Sequence, residues 1–293
     1  MRKLVLVHGR SQQHKDAKGL KQEWLDSLHA GLRAAGITTE IADADVAFPY
    51  YGDTLDQLSD HPQGPAVDVV VAGVGDADEA EKEFIGSVVA EAVDRNGVSE
   101  AQIRAEAGAD VIERGPLNWP WVLAALRALD RLPGIGGASI ALTTHDVYMY
   151  LRNIGVQRVI DQGLRSAVQP GEETVVVSHS LGTVVAYNVL AREAAQAGWR
   201  VPSFVTLGSP LGVRAIVDRL APITHPERVG PWFNAFDVRD TVALRPLDAV
   251  HFPVTPSVEN YGGVHNPTPN RHGISGYLGD PTVARRIHSA LTA

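Results

Sequence analysis

Short apolar runs alternate along the chain with longer amphipathic stretches, and that rhythm predicts strands separated by helices. Leu4, Val5, Leu6 and Val7 form the first apolar run, so residues 3–7 read as a strand, left by the turn His8-Gly9-Arg10-Ser11. Leu20, Trp24, Leu28 and Leu32 follow at every fourth position, which puts one apolar stripe on a helix over 17–35 that Gly36 ends. Residues 37–42 read as the second strand. Strand, helix and strand make a β-α-β unit, which favours a parallel sheet. Farther on, Thr174, Val175, Val176 and Val177 are all β-branched, as in a strand buried on both faces, and a helix follows to about 197. Strands are predicted at 203–207, ending at Gly208-Ser209-Pro210, and at 232–236. A last helix over 281–291 has Val283, Ile287 and Leu291 on one stripe, with Pro281 suited to its first turn.

The stretch from 43 to 144 departs from this rhythm. Residues 67–72 have strand-like composition, but 76–94 is acidic and helical, and 97–112 looks like another polar helix. Leu117-Asn118-Trp119-Pro120-Trp121 leads into a helix over 122–132, stopped by Pro133-Gly134. We read 43–144 as a mainly helical insertion, a cap or lid over the sheet, within a single domain spanning 1–293. Trp119, Trp121, Leu123 and Leu126 are its apolar cluster, which would either line a pocket or fill the insertion's own core. Residues 146–168 read as one helix returning to the sheet. The fold class expected is α/β, with a mostly parallel central sheet flanked by helices.

Composition narrows the function classes. The 293 residues are 44% hydrophobic, enough for a substantial core. The net charge of −8 is spread along the chain with no basic patch, so neither nucleic acid nor an anionic membrane is an expected partner. The absence of cysteine excludes disulfides and thiol catalysis. The first apolar run is too short for a signal-peptide core, and no segment approaches the ~20 apolar residues of a membrane span. A cytoplasmic protein with no stable membrane insertion is the expectation. There is no H-E-x-x-H, and the Asp and His pairs lack ligand spacing, so no metal is expected. Gly134-Ile135-Gly136-Gly137 neither follows a strand nor opens a clear helix, so no dinucleotide cofactor is expected either.

Candidate chemistry gathers after the strand at 174–177, where Ser178-His179-Ser180-Leu181-Gly182 marks a sharp turn into a helix. A serine hydroxyl is a poor nucleophile at neutral pH, and it needs a base in hydrogen-bond reach that an acid holds in place. Downstream lie Asp237-Val238-Arg239-Asp240-Thr241-Val242, then His265, and then His272 in Arg271-His272-Gly273-Ile274-Ser275-Gly276-Tyr277-Leu278. These motifs resemble those of the α/β-hydrolases of lipase or esterase type, over the length of the chain and in the order serine, acid, histidine. Ser178-His179-Ser180-Leu181-Gly182 is similar to their G-x-S-x-G nucleophile elbow, with Ser178 in place of the first glycine. Leu207-Gly208-Ser209-Pro210-Leu211-Gly212 is lipase-like as well.

The resemblance implies the α/β-hydrolase fold with Ser180 as nucleophile. Its acid would be Asp240, with Asp237 in reserve, since Thr241 takes the proline place of the family's D-P-V turn. Its base would be His272 rather than His265. The oxyanion hole would use the N–H groups of Leu181 and Arg10, with Gly9 permitting the close approach. The Arg10 side chain would either overhang the site or lie in solvent. His8 is expected to orient its turn, and His179 to pack or to wall the pocket. His14, His29, His61 and His288 are expected to take no part. The implied activity is hydrolysis of a small-molecule or acyl ester through an acyl-enzyme, without metal or organic cofactor. A thioesterase or peptidase with the same triad, and a non-catalytic binding protein, remain open.

Overall fold

Among the described residues the strands are β1 (Lys3–Val7), β2 (Val46–Ala47), β3 (Thr174–His179), β4 (Phe204–Leu207), β5 (Trp232–Ala235) and β6 (Glu259–Tyr261). They come from a computed structural model that describes residues 1–9, 16–51, 78–107, 113–134 and 136–293. All six lie parallel in one sheet, ordered β2-β1-β3-β4-β5-β6. The central strands β3, β4 and β5 are buried at every residue, as parallel strands covered on both faces must be.

Successive side chains on a strand point to opposite faces, and the core divides accordingly. Leu4, Leu6, Val175, Val177, Val205 and Leu207 meet helix α1 (Ala17–Ala34) and the C-terminal helices on one face. Val5, Val7, Val176 and Phe204 meet the remaining helices on the other. The α1 stripe works as its spacing predicts: Leu20, Trp24, Leu28 and Leu32 are buried, each leucine contributing about 1.5–3 kcal/mol of transfer free energy. On the second face lie α2 (Glu79–Asn96), α3 (Glu100–Ala107), α4 (Trp119–Asp130), α5 (Gly137–Arg152), α6 (Ile154–Ala167), α7 (Leu181–Glu193) and α8 (Arg214–Leu220). Helices α9 (Ile274–Leu278) and α10 (Pro281–Thr292) pack against α1.

Several elements differ from the sequence reading. Residues 37–42 form no strand; only Ile41 is buried among 38–42, and its N–H donates to His29 Nε2 at 3.1 Å. The edge strand is β2 instead, pairing Leu4 with Val46 and Val5 with Ala47. The helix expected over 146–168 begins earlier and is two helices. Asn153 is extended (φ −95°, ψ 102°), and its side chain caps α6 by accepting from the N–H groups of Gly155 and Val156. Gly137 opens α5, contrary to the expectation for the glycines at 134–137, and a Cβ there would stand 2.3 Å from the Leu126 carbonyl oxygen of α4. The strand expected at 67–72 lies outside the described residues. Strand β6 and helices α8 and α9 are additions that periodicity did not signal, being only three, seven and five residues long.

Within 43–144 the described residues hold β2, α2, α3, α4 and the first half of α5. Phe84, Ile85, Val89, Trp121, Val122 and Leu129 bury one another in this helical layer. No helix among the described residues is long and apolar enough to cross a membrane.

The strand order reverses direction at one place. From β1 the chain moves outward to β2, then returns to lay β3 on the other side of β1. In open parallel sheets the crevice at the carboxyl ends of two such strands is where ligands bind. Here that crevice lies between Gly9, leaving β1, and Ser180, leaving β3.

Candidate active site

Ser180 sits between the end of β3 and the first residue of α7 with φ 55° and ψ −129°, a conformation a non-glycine residue adopts at a cost of about 1–3 kcal/mol. Its surroundings hold it there. The Ser180 N–H donates to the Leu207 carbonyl at 3.1 Å, and its own carbonyl accepts from the Thr183 N–H and hydroxyl. The Thr183 hydroxyl also pairs at 2.8 Å with Ser209, in the turn after β4. Two close approaches explain the glycines. A Cβ on Gly182 would fall 2.4 Å from the His8 carbonyl oxygen, and one on Gly9 would fall 2.8 Å from Ser180 Cβ. Ser178, two residues before Ser180, lies inside β3, fully buried, its hydroxyl donating to the Val205 carbonyl.

The structure brings Ser180, His272 and Asp240 into one hydrogen-bonded series. His272 Nε2 lies 2.8 Å from Ser180 Oγ, and His272 Nδ1 lies 2.7 Å from Asp240 Oδ2. A carboxylate only accepts, so Nδ1 carries the ring proton and the Nε2 lone pair faces the serine hydroxyl. Asp240 closes the turn after β5 and is held from several sides. Its Oδ1 accepts from the N–H groups of Val242 (2.8 Å) and Ala243 (3.3 Å), and its Oδ2 also accepts from the Tyr277 hydroxyl. Burial, and then the Asp240 charge, push Tyr277 well above the usual phenol range, so it stays a donor. Gly208 makes room for the group: with φ 55°, a Cβ on it would press on Tyr277, Asp240 and His272 at 3.0–3.1 Å.

Asp237 and His265 are elsewhere. Asp237 accepts from the backbone N–H groups of Asn266 and Arg239 and so ties the loop before His272 to the end of β5. His265 is exposed. Tyr277 also takes part, a role the sequence alone does not assign; the signal for it is its place five residues after His272, in Ser275-Gly276-Tyr277-Leu278.

Two further histidines border the crevice, and both stay neutral. His8 stacks on Tyr51 at 3.9 Å; its Nε2 accepts from the Tyr51 N–H and its Nδ1 donates to the Gly9 carbonyl. Burial lowers it to about 4. His179 is lowered to about 3, first by burial and next by the neighbouring His272. His29 only caps Ile41, and His288 is half-buried rather than on the open surface, with Nε2 shielded. His14 and His61 lie outside the described residues, as does Arg10, so one of the two expected oxyanion donors has no described position. The other, the Leu181 N–H, opens α7 and has no carbonyl four residues back within the helix.

A cleft of about 340 Å³ opens beside Ser180 and His272. Among the described residues its walls include Leu20, Glu23 and Trp24 of α1, Thr143 of α5, and Asn270 and Ile274 on either side of His272. None of Trp119, Trp121, Leu123 or Leu126 lines it. Trp121 and Leu126 fill the core of the helical layer, so of the two expectations for that cluster the structure gives the second. Among the described residues no group of His, Asp and Glu is arranged to hold a metal ion. Comparison of the chain with family models, with curated proteins and with solved structures finds no match.

Proposed function

We propose that this protein is a serine hydrolase of the α/β-hydrolase type, cleaving a carboxylic ester through an acyl-enzyme on Ser180. One observation carries the reading: a serine at positive φ on a strand-to-helix turn, in hydrogen-bond series with a buried histidine and a buried aspartate. In this reading the layer of α2, α3 and α4 is the cap of a single domain, with α5 bridging it to the cleft.

The geometry supports the following chemistry. As Ser180 Oγ attacks the ester carbonyl carbon, its proton passes to His272 Nε2 over 2.8 Å, and Asp240 stabilises the imidazolium through Nδ1–H. The carbonyl π electrons move to oxygen, and the Leu181 N–H at the positive end of α7 faces the developing charge. The N–H of Arg10 is the second donor of the proposal. Collapse of the tetrahedral intermediate breaks the carbon–oxygen bond to the alcohol, which leaves with the proton from Nε2. Water then attacks the acyl-enzyme by the same proton route, releasing the acid and restoring Ser180. Nothing in these steps requires a metal or an organic cofactor.

The test is labelling with a fluorophosphonate, which reacts only with an activated serine, combined with turnover of p-nitrophenyl esters. Wild-type protein should be labelled at Ser180 and turn over. Ser180→Ala should fold, resist labelling and lose several orders of magnitude in kcat. Failure of the wild type to label or turn over, or full activity in Ser180→Ala, overturns the proposal. Thioester and amide substrates in the same panel separate an esterase from a thioesterase or peptidase.

A further inference from the structure

The loop that delivers His272 is irregular, and Arg271, just before it, has φ 54°. Such a segment does not hold a side chain to a fraction of an ångström by itself. Part of the restraint is local: the Asn266 side chain donates to the Gly273 carbonyl, and the Asn270 side chain accepts from the His272 N–H at 3.2 Å. Asp237 fixes the loop's beginning. The carbonyl of His272 itself is held from outside the loop, by His179 Nε2 at 2.8 Å. A carbonyl only accepts, so His179 carries its proton on Nε2 and leaves Nδ1 bare.

The His179 ring makes a second contact. It lies 4.7 Å from the His272 ring, tilted by 34°, with Trp24 and Tyr277 on its other sides. The imidazole of His272 is therefore backed by a rigid aromatic body that is itself only 8% exposed. Position in the sequence gives this contact its significance. His179 is the last residue of β3 and Ser180 is the next, so a single strand end carries both the serine and the clamp on the base. Any displacement of that strand moves both together.

We infer that His179 is a positioning residue for the hydrolytic reaction: it holds the His272 backbone and backs the His272 ring, and so sets the distance between Nε2 and Ser180 Oγ. This rests on the triad reading. His179 transfers no proton. Its neutral state also matters, because a charge there would stand against the imidazolium that His272 becomes during acyl transfer.

Three variants test the inference. His179→Phe keeps an aromatic ring and loses the donor, His179→Gln restores an amide donor at similar reach, and His179→Ala loses both. A misplacement of the base by about 1 Å costs on the order of 10²-fold in rate. His179→Phe should therefore lose about 10- to 100-fold in kcat and in fluorophosphonate labelling rate, with KM within about threefold of wild type. His179→Gln should recover part of both losses, and His179→Ala should be the slowest. Thermal melts show whether each variant is folded. If His179→Phe fails to fold, the comparison of His179→Gln with His179→Ala carries the test, and equal rates in those two overturn it. A changed KM at unchanged kcat makes His179 only a cleft wall and also overturns it. Failure of the triad reading looks different: wild type itself goes unlabelled, or Ser180→Ala remains active.

Discussion

Replacing Tyr277 with Phe removes one oxygen from the centre of the site and nothing else. That hydroxyl is buried, donates to Asp240 Oδ2 and accepts from the Asp237 N–H at 3.2 Å. The first bond has a charged acceptor and is worth about 1.5–3 kcal/mol; losing the second leaves a buried N–H unsatisfied, at about 1–3 kcal/mol. The second bond is long, so the bottom of its range applies, and the sum comes to about 2.5–4 kcal/mol. For a chain of 293 residues each kcal/mol lowers Tm by about 2 °C, which predicts a fall of about 5–8 °C. Activity should suffer less. Asp240 keeps the His272 Nδ1–H and the N–H groups of Val242 and Ala243, so the imidazole keeps its orientation and kcat should fall by less than about tenfold. Calorimetry gives the first quantity and ester turnover the second. A Tm within about 1 °C of wild type would refute the hydrogen-bond accounting. A kcat loss of a thousandfold would show that the backbone donors do not hold the carboxylate alone.

Other expectations can be checked with the same assays. His272→Ala should abolish turnover while His265→Ala leaves kcat near wild type, because His265 is exposed and His272 reaches Ser180; the reverse outcome would reassign the base. Gly208→Ala puts a methyl group 3.0–3.1 Å from Tyr277, Asp240 and His272 at φ 55°, so both Tm and kcat should fall, and an unchanged kcat would mean the proposed triad tolerates the shift. Stability should also depend on pH through the buried histidines. His8 and His179 are lowered to about 4 and about 3 from 6.5, so between pH 6.5 and 4 the unfolded chain binds protons that the native protein does not. Their stabilisation is complete above pH 6.5 and is lost as pH falls, by up to about 1.4 kcal/mol per pH unit for each histidine. His179→Gln should remove one proton's worth of that slope in unfolding curves from pH 6.5 to 4; equal slopes in variant and wild type would contradict the assignment of His179 as a neutral native group.

What the sequence determined by itself is local. Periodicity located α1, β3, β4, β5 and α10 because one apolar stripe, or an unbroken apolar run, needs only the residues of that element to declare itself. The class of fold followed, since alternating strands and helices leave few arrangements other than a parallel sheet covered on both sides. Ser180 was legible for the same reason: strand, tight turn and helix are contiguous in the chain. Short elements escaped, because β2 with two residues and β6 with three carry no periodic signal and exist through their pairing with β1 and β5. The break at Asn153 escaped as well, since apolar residues continue across it and only the cap on α6 divides the helix. Tertiary structure alone decided the distances. Asp237 and Asp240 have the same side chain three residues apart in one turn, and only a resemblance of motif favoured Asp240; folding turns one toward the Asn266 backbone and the other toward His272. His179 is adjacent to Ser180 in sequence, yet its hydrogen bond reaches a carbonyl 93 residues away. Contacts across such separations depend on how the strand ends and loops meet in space, and no pattern along the chain encodes them.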